Sequence, residues 1–63
     1  MSLEIKPGDL FRTRGALIYI IAVVPHPRHV YELFCFIKAR GSCLLDWIIP
    51  EVLNASERIY EAH

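Results

Sequence analysis

The stretch Tyr31-Glu32-Leu33-Phe34-Cys35-Phe36-Ile37-Lys38-Ala39-Arg40-Gly41-Ser42-Cys43-Leu44-Leu45-Asp46-Trp47-Ile48-Ile49 decides the fold. β-branched and aromatic residues dominate both arms, which favours two strands over a helix. Between the arms lies Ala39-Arg40-Gly41. A three-residue turn ends in a left-handed residue, and Gly41 suits that place because it has no Cβ. This turn sets Lys38 opposite Ser42, Ile37 opposite Cys43, Cys35 opposite Leu45, Leu33 opposite Trp47 and Tyr31 opposite Ile49. Every odd-numbered residue then falls on one apolar face. A two-residue turn at Arg40-Gly41 would split the apolar residues between faces, so the pattern argues for the longer turn.

The even-numbered face carries Glu32, Lys38, Ser42 and Asp46, but also Phe34, Phe36, Leu44 and Ile48. A sheet with one wet side alternates more cleanly than this. Part of that face is therefore expected to be covered, either by the rest of the chain or by another subunit or a partner.

Working outward, Ile5-Lys6-Pro7-Gly8-Asp9 reads as a turn. Leu10 to Arg14 reads as a first strand with Phe11 as its core contact, ended by Gly15. Ala16 to Val24 is apolar on both faces, which fits a central strand, or one bent around a small barrel, buried on both sides. Pro25-His26-Pro27-Arg28-His29 breaks it, because two prolines remove ladder donors. The segment from Pro50 has two readings. One is a helix with Val52, Leu53, Ser56, Ile59 and Tyr60 on one stripe. The other is one helical turn followed by a strand, Glu57 to Glu61, with Ile59 pointing inward.

The chain has 63 residues, 54% of them hydrophobic, and a formal net charge of zero. That length makes one domain, and such a domain buries only about 60% of its unfolded surface. The apolar surplus is what self-association would use, most simply in a twofold homodimer. Residues 1–40 hold six Lys/Arg against three Asp/Glu, and residues 41–63 hold one against four, which hints at a basic and an acidic side. The longest apolar run, Ala16 to Val24, is far short of the ~20 residues that span a bilayer. Glu4, Lys6 and Asp9 stand where a signal peptide would need its apolar core. A cytoplasmic protein without membrane attachment is the expectation. The Asn54-Ala55-Ser56 triplet then carries no meaning as a glycosylation acceptor.

The order of elements resembles the small stand-alone SH3-like β-barrels of bacteria and bacteriophages. The features that carry it are the Gly8-Asp9 opening, the long apolar strand, the central hairpin, Trp47, and the short turn Pro50-Glu51-Val52-Leu53 before a last segment. The resemblance covers about residues 7–61. The apolar second strand and the Pro-His-Pro loop depart from the usual pattern. The resemblance implies a binding module without chemistry, and it favours the turn-plus-strand reading of the C-terminal segment. The expected fold is all-β: a single SH3-like domain over residues 1–63, a barrel of about five strands with one short helical turn near the C-terminus. The alternative is an α+β fold with a C-terminal helix on a three- to four-stranded antiparallel sheet.

No catalytic constellation is present, and no cofactor is expected. His26 and His29 could face one metal ion, but zinc wants further Cys or carboxylate ligands nearby, so no metal site is assigned. Cys35 and Cys43 fall diagonally on the apolar face with Cα atoms ~7–8 Å apart, too far for a disulfide. Both are expected to be buried, inert thiols. The function expected is a non-enzymatic protein-interaction module that self-associates. Its partner-binding residues would be Phe34, Phe36, Leu44 and Ile48, ringed by Arg28, Lys38, Arg40 and Asp46. The alternative is a nucleic-acid-binding module that uses Arg12, Arg14, Arg28, Lys38 and Arg40, with Phe34 and Phe36 stacking bases. The neutral net charge weighs against that alternative.

Overall fold

A computed structural model describes residues 4–28 and 31–62 of the chain. Five strands form one antiparallel sheet: β1 (Leu10–Thr13), β2 (Ala16–Pro25), β3 (Tyr31–Ala39), β4 (Ser42–Ile48) and β5 (Glu57–Tyr60). Their order across the sheet is β4-β3-β2-β1-β5. The all-β class, the five strands and the single 3-10 turn at Pro50–Leu53 are as the sequence indicated. The sheet stays open, with β4 and β5 at its two edges, so no ring of ladder bonds closes a barrel among the described residues. The C-terminal helix of the α+β alternative does not form. Pro50 starts the 3-10 turn, and Ser56 Oγ donates a 2.6 Å hydrogen bond to the Leu53 carbonyl at its end.

The central hairpin departs from the sequence reading by one residue. Ala39 pairs with Ser42, Ile37 with Leu44, Cys35 with Asp46, Phe34 with Trp47 and Leu33 with Ile48. The turn is the two-residue Arg40-Gly41, with both residues at positive φ, 50° and 78°. Such a turn matches the right-handed twist of the strands that flank it. Arg14-Gly15 makes the same turn between β1 and β2, with φ of 46° and 83°. The apolar pattern does not fix the register here because β4 is an edge strand. All of its residues but Ile48 are exposed, so neither of its faces has to be apolar.

The core lies on one side of the sheet. Phe11, Ile18, Ile20, Leu33 and Cys35 project into it, and Leu53 of the 3-10 turn and Ile5 close over them. Burying each of these larger side chains is worth roughly 1.5–3 kcal/mol. Among the described residues only one side is covered, so the expectation that β2 buries both faces is not met. Ile18, Ile20 and Val23 point to the core side, while Tyr19 and Val24 are exposed. A bulge at Ile21, where the register slips by one, re-aims the second half of the strand.

The two chain ends are tied together at a buried carboxylate. Asp9 is fully buried, and its Oδ2 accepts the Lys6 backbone N–H at 3.0 Å. Its Oδ1 accepts the Ala62 backbone N–H at 2.7 Å. The Asp9 carbonyl accepts the Ile20 N–H and the Gly8 N–H donates to the Ile20 carbonyl, which fastens the opening turn to β2. Beside it, the Arg58 guanidinium lies 5.3 Å from the Phe11 ring centroid and 3.9 Å from Asp9 Oδ2. Arg58 also pairs with Glu61 at 3.2 Å. Here too the sequence reading is corrected. Arg58 faces inward from β5, whereas Ile59 occupies a register slip against β1 and is exposed.

Candidate interaction surface

No element among the described residues covers the face of the sheet opposite the core. One row of paired residues crosses all five strands: Tyr60, Leu10, Tyr19, Phe36 and Leu45. Tyr19, Phe36, Leu45 and Tyr60 in this row are 39–57% exposed. The next row toward the β2–β3 loop is Ala22, Phe34 and Trp47. The Phe34 and Trp47 rings pack in a tilted contact, with centroids 4.9 Å apart at 47°. Trp47 is still 49% exposed. Neighbouring strands lie about 4.8 Å apart, so the five-stranded row runs ~19 Å.

The row on the other side is charged: Glu57, Arg12, Leu17, Lys38 and Cys43. Arg12 pairs with Glu57 at 2.6 Å. Beyond it stand the twin turns. The pairing of Thr13, Ala16, Ala39 and Ser42 in one line puts Arg14-Gly15 and Arg40-Gly41 at the same end of the sheet, about 10 Å apart. Lys38, Arg14 and Arg40 make no ion pair among the described residues, so this end is basic in a chain of zero net charge.

The structure separates the residues that the sequence grouped together. Phe34, Phe36 and Lys38 lie on the open face. Leu44, Asp46 and Ile48 lie on the core side, because the one-residue shift reverses β4. Arg40 sits in its turn at the basic end, with Arg12, Arg14 and Lys38. Arg28 is exposed in the loop after β2, at the far end. The ring of Arg28, Lys38, Arg40 and Asp46 therefore does not form around one patch. Tyr19, Leu45, Trp47 and Tyr60 are the members that sequence reasoning missed. The repeated Arg-Gly pair between strands was the available signal for the turn type that brings Leu45 and Trp47 into line.

The cysteines divide between the two faces. Cys35 is buried, and its Sγ donates to the Leu33 carbonyl at 3.6 Å. Burial, with the Asp46 carboxylate adding to it, pushes the thiol up to about 11. Cys43 is exposed on the open face, so the expectation of two buried thiols holds for Cys35 alone. His26 Nε2 lies 3.1 Å from Glu32 Oε1, and its Nδ1 accepts the Arg28 N–H at 3.0 Å. His29 lies outside the described residues. Among the described residues, no three His, Cys, Asp or Glu side chains gather to hold a metal ion. No helix in them is long and apolar enough to cross a membrane. Comparison with protein-family models, with curated proteins and with solved structures finds no match to this chain.

Proposed function

We propose that this protein is a small, non-enzymatic interaction module whose open sheet face docks onto another protein surface, working in the cytoplasm. The observation that carries this reading is the uncovered apolar row of Tyr19, Phe36 and Leu45 with Trp47 beside it. Aromatic residues are enriched at protein interfaces, and their burial dominates binding energy there. The strand order, the 3-10 turn before β5 and the Gly8-Asp9 staple support kinship with the SH3-like binding modules of bacteria and bacteriophages. The test is affinity capture with wild type and Phe36→Asp, each with and without nuclease. A stoichiometric protein bound to wild type, retained after nuclease and lost with Phe36→Asp, is the expected result. Equal capture by both proteins would count against the open face.

A second reading has one observation in its favour. Arg12, Arg14, Lys38 and Arg40 gather at the end of the sheet that borders the aromatic row. Cations beside exposed rings are the elements with which single-stranded nucleic acids are held. In that case the captured material is nucleic acid, and Lys38→Glu together with Arg40→Glu removes it.

A further inference from the structure

Along β3 the outward residues read Glu32, Phe34, Phe36 and Lys38, a pattern that complements itself when reversed. We propose that the occupant of the open face is a second copy of this chain, packed outer face to outer face about a twofold axis. The axis lies between the two sheets, perpendicular to the strands and level with Cys35. This inference rests on the reading of the face as an interaction surface. The axis reverses the strand direction, so Lys38 of one copy stands over Glu32 of the second, and Phe36 over Phe34. A twofold axis running along β3 would instead set Lys38 over Lys38 and Glu32 over Glu32. Facing like charges are a standard way of excluding an arrangement.

The flanking strands fit the same axis. In β2, Tyr19 of one copy meets Ala22 of the second, so a large ring stands over a small residue. In β4, Leu45 meets Trp47. Face-to-face sheets pack about 10 Å apart with a twist of about 30° between them, and they need such interdigitation. The area also suffices. A fully exposed aromatic side chain offers 150–250 Å². At 39–57% exposure, Tyr19, Phe36, Leu45, Trp47 and Tyr60 give on the order of 450 Å². Lys38, Arg12 and the half-buried Phe34 bring one copy toward the roughly 800 Å² that a standard interface buries per partner. Glu32 has a second carboxylate oxygen for Lys38 beside the one that meets His26.

The test is sedimentation velocity on wild type, Glu32→Lys and Lys38→Glu, alone and mixed. Circular dichroism confirms that each variant folds. Wild type is expected to form a dimer at micromolar concentration. Each variant alone places like charges opposite each other and weakens self-association by about tenfold or more. A one-to-one mixture of the two variants puts Lys against Glu at both positions and restores the dimer. Variants that dimerise as wild type does overturn the arrangement. A wild type that stays monomeric near millimolar concentration overturns the second copy as occupant. Phe36→Asp separates this failure from that of the underlying reading. A monomeric wild type whose capture of a different protein is lost with Phe36→Asp keeps the interaction surface. A dimer that survives Phe36→Asp sinks both.

Discussion

Replacing Asp9 should cost a large part of the stability of this chain. The carboxylate is fully buried, and it accepts the backbone N–H groups of Lys6 and Ala62 at 3.0 and 2.7 Å. Hydrogen bonds to a charged acceptor contribute about 1.5–3 kcal/mol each. Asp9→Ala removes both and leaves two part-buried backbone donors without their acceptor. It also takes away one of the carboxylates near Arg58, although Glu61 remains at 3.2 Å. Relief of the buried charge offsets part of the loss, so the net effect should be about 2–4 kcal/mol. A domain of this size has a total of roughly 3–9 kcal/mol. Asp9→Asn should fall between wild type and Ala, because its amide keeps one acceptor but turns an N–H toward the other donor. The assay is urea unfolding followed by circular dichroism. With a slope near 1 kcal/mol/M, the midpoint for Asp9→Ala should fall by about 2–4 M with the slope unchanged. A midpoint within about 0.5 M of wild type would refute the clamp.

Three further outcomes follow from the same structure. In the folded protein a thiol reagent should modify Cys43 quickly, and Cys35 only at the rate of unfolding; two equally fast thiols would return both to one face. The Cys35 thiol is held protonated up to about 11, above its ordinary value of 9.0, so the unfolded state binds fewer protons than the folded one in between. Stability should therefore fall as pH rises from 9 to 11, by up to about 2–3 kcal/mol, and Cys35→Ala should show a flatter profile over that window. Gly41→Ala places a Cβ at a φ of 78° and should cost about 1–2 kcal/mol by urea unfolding, whereas a neutral effect would argue against the two-residue turn.

Part of the fold was legible because the apolar pattern and the prolines constrain it. Phe11 as core contact and the inner place of β2 follow from apolar position and proline placement, whereas the turn-plus-strand C-terminal segment was favoured over a helix only by the resemblance to SH3-like barrels. The hairpin register was not legible by the same logic. Face purity constrains a strand only when one of its faces is buried, and β4 is exposed on both. The turn residues held the answer in the twin Arg-Gly pairs. Asp9 and Arg58 were invisible for a different reason: both are charged residues whose burial depends on chain ends 53 residues apart meeting at one point. The open face was half legible. Phe34 and Phe36 were found on β3, while Tyr19, Leu45 and Tyr60 required the sheet order to bring them into one row.

Sedimentation velocity of wild type beside Phe36→Asp tests the central claim most directly. Phe36 lies in the middle of the open row and is 39% exposed, so an aspartate there should leave the core intact. The account predicts that wild type sediments as a complex larger than the 7.3 kDa chain. Phe36→Asp should keep the same circular dichroism and sediment as the single chain. A complex of unchanged size with Phe36→Asp, or a variant that fails to fold, would contradict it.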